Sequence, residues 1–411
     1  MPTRALLVLT LAYVLNFVDR QLIGILGQPI KTDLHLSDTQ LGLLGGFAFA
    51  IFYSVLGLPI ARLAERRNRV GIVAISLGLW SAMTALSGLA SGFGTLLLAR
   101  IGVGIGEAGS AAPSQSLIAD LVPRGRRATA LALFSLGVPI GMMASAIGGG
   151  WLAASLGWRA AFLALGLPGI LLALAIPVLI GEVPREGGAL TPPRFAAVLR
   201  LLGRDRAFLH MAAGASLASF AGYGLTTFAV PLMMRQGIGL REAATGFGIV
   251  VGVALTLGMA AGGWLSDRLS RYDPGAPGRI ASLGATFAGI LFLVALAQRD
   301  PVATAGLSFA PFVFAHLYFG PTYAVTVDAV PPAARATAVA ILLLAINAIG
   351  LGLGPLLVGM ASDHFAHHNG GTRGLKMALR LDMIVYIWAG AHFLAAANAM
   401  RRGAQSQSAT R

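Results

Sequence analysis

Twelve apolar stretches, each long enough to cross about 30 Å of hydrocarbon, leave this chain little choice of fold. They fall near 5–28, 39–62, 70–92, 94–120, 127–154 and 158–181. After a polar interval they resume near 207–234, 241–266, 279–298, 302–328, 335–361 and 377–400. Of the 411 residues 56% are hydrophobic and only 11% charged, against about a quarter charged in a soluble protein, so much of the surface must face lipid. The expected fold is an all-α membrane protein with twelve transmembrane helices.

The two sets of six are copies of one plan. Asp120-Leu121-Val122-Pro123 and the following Arg127-Ala128-Thr129-Ala130 return as Asp328-Ala329-Val330-Pro331 and Arg335-Ala336-Thr337-Ala338. The shared pattern is D-x-V-P-x-x-x-R-A-T-A, and Arg127 and Arg335 stand about half a chain length apart. Glu65-Arg66-Arg67-Asn68-Arg69 is matched by Asp267-Arg268-Leu269-Ser270-Arg271 at nearly the same offset, each closing an apolar run. A polytopic chain built twice from one unit points to a transporter of two six-helix bundles around a central cavity. The bundles are expected over 1–181 and 207–411, joined by a linker at 182–206 with one short interfacial helix near 194–203.

Arginine and lysine set the topology. Twenty of them, from Arg4 through the Arg62–Arg69 and Arg124–Arg127 clusters to Arg401, Arg402 and Arg411, fall in loops on one side of the membrane; eight, including Lys31, Arg235 and Lys376, fall on the other. The positive-inside rule puts both termini in the cytoplasm. The formal net charge of +14 therefore marks topology and not a nucleic-acid surface. The run from Met1 to Leu15 lacks a small-residue cleavage site and reads as a retained first span.

Other classes of function drop out. There is no cysteine, hence no disulfide, thiolate metal site or cysteine catalysis. Lys31 and Lys376 are the only lysines, and neither closes the G-x-x-x-x-G-K-[ST] loop of a nucleotide hydrolase. A lipid enzyme of the membrane would need a G-x-S-x-G, a His-x4-Asp or paired metal-ligand helices, and none is present. Gly104-Ile105-Gly106-Glu107-Ala108-Gly109 fits G-x-G-x-x-G, but no strand precedes it, so small-residue helix packing explains it. Gly137-x-x-x-Gly141, Gly350-x-x-x-Gly354 and Gly148–Gly150 have the same meaning. No cofactor, metal or nucleic-acid partner is expected.

Four charges interrupt the apolar spans: Asp19 and Arg20 in the first, Arg100 and Glu107 in the fourth. Each costs at least about 2.5–3.5 kcal/mol at mid-membrane, so such residues face a cavity and have partners. At 1.5 Å per residue Arg20 lies about 21 Å and Glu107 about 20 Å from the same face, so the two share a level. Arg100 sits seven residues from Glu107, on the same helix face. Tyr13, Asn16 and Arg20 line one face of the first span, while Asp19 points about 100° away and braces a neighbour. The reading is Glu107 as proton carrier with Arg20 as its counter-charge; a purely structural ion pair is the alternative. His316 and His392 lie mid-span and read first as packing residues. His364, His367 and His368 read as a solvated loop, and Asp382 as interfacial beside Arg380.

These residues resemble the major facilitator superfamily. Asp267-Arg268-x-x-Arg271 after Gly263 is similar to its loop signature between the second and third helices of each half, and Glu65-Arg66-x-x-Arg69 is the first-half counterpart. Arg100-x-x-x-Gly104-x-Gly106-Glu107-Ala108 resembles the fourth-helix signature. Within the superfamily the likeness is to bacterial spinster-like transporters, carried by Asn16-Phe17-Val18-Asp19-Arg20, Gly46-Phe47-Ala48-Phe49 to Tyr53, and Gly157-Trp158-Arg159-Ala160-Ala161-Phe162.

The resemblance implies alternating access, with Asp19, Arg20 and Glu107 as the proton-coupling and gating site. Tyr13, Asn16, Arg100 and His316 would line a substrate cavity. Glu65, Arg66, Arg69, Asp120 and Arg127, with Asp267, Arg268, Arg271, Asp328 and Arg335, would form cytoplasmic gates. Partners would be protons, membrane lipids and a small-molecule or lipid substrate, handled by a monomer. Spinster-like kinship implies an amphipathic, sphingolipid- or lysophospholipid-like substrate; a small organic anion held by Arg20 and Arg100 is the alternative, with a membrane lipid enzyme or a passive channel behind it.

Overall fold

The computed structural model describes residues 2–123, 126–181 and 195–409, and side chains within those ranges except at 2, 58, 61, 65, 66, 128 and 406–409. Among the described residues the regular structure is helical. In the first half of the sequence the spans are α1 (Pro2–Ile25), α2 (Asp38–Ala64), α3 (Arg69–Ser87), the pair α4 (Phe93–Glu107) and α5 (Ala111–Leu121), α6 (Thr129–Leu156) and α7 (Trp158–Ile180). A short helix α8 (Phe195–Leu202) precedes the second half: α9 (Arg206–Arg235), α10 (Leu240–Leu269), α11 (Ala276–Ala297), α12 (Pro301–Asp328), α13 (Pro332–Asn369) and α14 (Gly371–Ala409). Eleven of these are long and apolar enough to cross a membrane unbroken. The fourth span is the exception, because it stops at Glu107 and restarts at Ala111.

The break has a local cause. Pro113 has no N–H to give the carbonyl of Gly109, and its ring crowds that carbonyl. The chain tightens instead, with Gly109 N–H donating to Gly106 O (3.3 Å) and Ser110 N–H to Glu107 O (3.1 Å). Widened π-helical turns interrupt α2 at Leu43–Phe47, α6 at Ser145–Gly149 and α13 at Ile346–Leu353. Such turns cluster at functional sites.

The helices gather into two compact units. Unit 1 comprises Met1–Gly187, Thr226–Gly252 and Pro355–Asp363. Within it α1 packs on α6 and α7, and α3 on α4 and α7. Unit 2 comprises Gly188–Leu225, Val253–Gly354 and His364–Arg411. Its centre is α11, packed on α12 and α14. The linker helix α8 is amphipathic: Val198 and Leu202 are buried against Phe208, Val330, Ala338 and Leu342, while Leu199 and Leu201 stay exposed.

With no hydrophobic drive between helices in lipid, close approach depends on small residues. A Cβ at Gly141 would come within 2.6 Å of Val14 O, and one at Gly354 within 2.3 Å of Phe220 O. The G-x-G-x-x-G stretch does the same: a Cβ at Gly104 would meet Phe49 O at 2.7 Å, and one at Gly106 would meet Trp80 N at 2.6 Å. These are seams between helices, as the sequence implied. Gly106→Ala must push α4 off the α3 backbone, which costs about 1–3 kcal/mol for an overpacked core. Thermal unfolding of the detergent-solubilised protein measures it, with Gly94→Ala, whose Cβ would meet nothing within 4 Å, as the neutral control.

Candidate functional site

Glu107 is the last residue of α4, at the break, and its side chain turns toward α1. Arg20 Nη2 donates to Glu107 Oε2 at 2.7 Å. The two residues are 8% and 1% exposed, so the pair is buried at the level the helix rise predicts. The Arg20 guanidinium is held from several sides. Its Nη2 reaches Asn16 Oδ1 at 3.4 Å one turn back, and it lies over the rings of Phe17 and Phe49 (each 4.9 Å) and Tyr53 (5.0 Å). Aromatic faces stabilise a cation without neutralising it, so Arg20 is seated even when its carboxylate partner changes.

Two more charges share this pocket of unit 1. Arg100 is fully buried, and none of its three guanidinium nitrogens has a hydrogen-bond partner; it lies 5.9 Å over Phe49 with Asp19, Glu107 and Arg20 as its charged neighbours. Asp19, 4% exposed, points away from Arg20 to Thr84 of α3, and the Thr84 hydroxyl falls short of a hydrogen bond. One oxygen each of Asp19 and Glu107 is unsatisfied. Two acids and two arginines, none more than 8% exposed, are balanced in charge here, and Arg20 and Glu107 are paired at 2.7 Å. That arrangement can re-pair when one proton enters or leaves.

The remaining expected cavity residues divide. Tyr13 stacks on Phe134 of α6 at 4.2 Å, one turn before Asn16. His316 belongs to unit 2, where its Nδ1 meets Phe312 O at 2.7 Å and its ring stacks on Phe319 at 5.9 Å. Asp382 is buried at 4% exposure, and Arg380 beside it donates to Leu296 O.

The duplicated signature has a structural meaning. Arg127 Nε donates to Val122 O (3.1 Å) and Arg335 Nε to Val327 O (3.2 Å), each covering carbonyls at the end of the preceding helix. Arg69 Nη1 also closes on Asp120 Oδ2 at 2.5 Å and on Ser116 Oγ at 2.8 Å. In unit 2, among the described residues, no ion pair joins Asp267, Arg268 or Arg271 to Asp328; Arg268 lies over Trp264 at 5.5 Å. The side chains of Glu65 and Arg66 lie outside the described residues.

A second charged cluster in unit 1 was not foreseen. Asp38, at the start of α2, is 1% exposed. It accepts from Arg235 Nη1 (2.8 Å) and Nη2 (2.5 Å), Lys31 Nζ (2.5 Å) and Ser362 Oγ (2.6 Å). The carboxylate of Asp363 accepts in turn from Asp38 N (2.9 Å), Thr39 N (2.8 Å) and Thr39 Oγ1 (2.6 Å), capping the helix start. This clasp ties the start of α2 to the C-terminal parts of α9 and α13. Lys31 and Arg235 had been read only as topology charges; in the structure Ser37 and Gln40 form a capping box at the start of the helix.

A family model for the Major Facilitator Superfamily matches residues 9–397. The chain belongs to that superfamily. It is similar to an MFS-type efflux pump of Mycolicibacterium smegmatis, with 38% identity over 91% of this chain and 87% of the relative. It is 29% identical to Protein spinster of Drosophila melanogaster over 91% of this chain and 64% of that protein. The crystal structure of a bacterial homolog of the human lysosomal transporter Spinster, inward-facing and unoccupied, is similar at a TM-score of 0.89 and 32% identity, covering 97% of each chain. This major facilitator protein is spinster-like, an integral membrane transporter whose relatives are transporters and not enzymes.

Proposed function

We propose that this major facilitator protein is a proton-coupled secondary transporter working by alternating access, with an amphipathic, lipid-like substrate. The observation that carries the reading is the Arg20–Glu107 ion pair, 2.7 Å long and buried, at a helix break and beside an arginine with no hydrogen-bond partner. A proton arriving on Glu107 removes its charge and frees Arg20, which keeps its aromatic seat; Asp19 is then the one charged acid facing the two arginines, and the cluster carries a net charge of +1. The re-pairing shifts α1 against α4, and those helices line the proposed path. One charge crossing 100 mV carries about 2.3 kcal/mol, enough for roughly a fiftyfold gradient. The lipid-like substrate rests on kinship to spinster proteins. We assign the coupling role to Asp19, Arg20 and Glu107, and cytoplasmic gating to Arg69 with Asp120 and to Arg127 and Arg335. The two bundles would be 1–181 and 207–411, with both termini cytoplasmic.

One observation favours a second reading. The buried Arg100 guanidinium presents three unpaired nitrogens, which suits a carboxylate or other small organic anion. Counterflow in proteoliposomes under an imposed pH gradient decides between them. The expected result is gradient-dependent exchange of lysophospholipids and none of sugar acids. Exchange of sugar acids alone establishes the second reading, and exchange indifferent to the pH gradient refutes proton coupling.

A further inference from the structure

Unit 2 holds a buried acid within a span, and no mechanism so far uses it. Asp382 lies in α14, 4% exposed, and neither carboxyl oxygen has a hydrogen-bond partner. The four elements around it offer no countercharge. On α14 itself, Arg380 donates from Nε and Nη2 to Leu296 O (3.2 and 2.8 Å), and Lys376 reaches Gln298 O, both toward the end of α11. Along α11 the only charged residue is Arg279, at the opposite end, where it pairs with Asp273. The titratable groups inside α9 and α12 have partners of their own: His210 meets His392 at 3.1 Å, His316 meets Phe312 O at 2.7 Å, and the Tyr318 hydroxyl is bonded to Ser219 Oγ at 2.8 Å. Tyr386 lies one turn beyond Asp382 on α14.

An ionised carboxylate here would sit in a low-dielectric interior with neither cation nor hydrogen-bond donor, the costliest arrangement for a charge. Occupants larger than a proton do not fit the surroundings. A metal or sodium ion would need several oxygen ligands, and no metal-binding group of acids and histidines occurs among the described residues. An organic ammonium group would need space beside the carboxyl, yet Asp382 is only 4% exposed.

The structure assigns Asp382 as a proton-binding site of unit 2, neutral in this conformation and exchanging its proton with the membrane face that Lys376 and Arg380 mark. Those two cations lie six and two positions before it on the same helix, so the route from that face is short. The site is separate from the Arg20–Glu107 pair and does not depend on the coupling role proposed for Glu107.

Infrared spectroscopy of the protein in lipid tests this. The Asp19→Asn/Glu107→Gln double variant removes the buried acids of the coupling site. In it, a protonated-carboxyl band should remain at neutral pH, shift when aspartate is labelled with carbon-13, move in heavy water, and vanish with Asp382→Asn. Absence of the band overturns the assignment, as does a band that heavy water leaves unmoved, because the proton is then absent or locked in. If Asp382→Asn fails to fold, aspartate labelling with heavy-water exchange in the double variant still decides: a labelled, exchanging band supports the site and its absence refutes it.

Discussion

Arg20→Ala lowers the stability of the folded protein by about 3–5 kcal/mol, the range for breaking a buried pair from one side. The reason is the carboxylate left behind. Glu107 Oε1 already lacks a partner, so without Arg20 the charge is stranded at the end of α4 with only Arg100 near it. Glu107→Gln is the milder change. Its amide keeps the shape and can still accept from Arg20, whose guanidinium remains over Phe17, Phe49 and Tyr53. That variant should insert and fold, and should exchange substrate in counterflow without a gradient. Under an imposed pH gradient its transport should fall to the level of empty liposomes. Combining Arg20→Ala with Glu107→Gln should recover much of the lost stability, because both charges leave together. Thermal unfolding in detergent and gradient-driven flux measure the two effects. If Glu107→Gln retains full gradient-driven transport, Glu107 is a structural ion-pair partner and the coupling site lies elsewhere.

Asp38→Asn is expected to open the clasp at the far end of unit 1. The carboxylate accepts four hydrogen bonds from three side chains, and two of the donors are cations. An amide cannot receive all of them and leaves Arg235 and Lys31 without their acid. A loss of about 3 kcal/mol, the low end for a buried pair, is roughly a hundredfold change in the closed-to-open ratio. The chain has no cysteine, so Val358→Cys places a unique thiol at a position 3% exposed on α13, one turn from Ser362. Its reaction with a membrane-impermeant maleimide should accelerate by about that factor when Asp38→Asn is added. An unchanged labelling rate would mean that helix packing alone holds these ends together.

The site was partly legible before the structure. Asp19, Arg20, Arg100 and Glu107 are conspicuous because charge is scarce in apolar runs, and the helix rise alone put Arg20 and Glu107 at one depth. Their pairing at 2.7 Å follows from that, given that α1 and α4 are neighbours. The duplicated Arg127 and Arg335 were legible as a repeat but not as helix-end caps, since carbonyls carry no sequence signal. Asp38 was invisible for a different reason. Its partners Lys31, Arg235 and Ser362 are up to 324 positions away, and charged residues near span ends are ordinary topology markers when read one at a time.

Local chemistry therefore reached what local chemistry can reach: an all-helical membrane fold from apolar length, the expectation of a doubled plan from recurring charges, and the seams from small residues. Which charges meet is a matter of helix neighbours, and a linear pattern holds no record of neighbours. The same carboxyl group sits in a four-bond clasp at position 38 and unpartnered at position 382, though both are acids near the end of an apolar run. Only the packing of the surrounding helices, by bringing an arginine to one and no hydrogen-bond partner to the other, made them different.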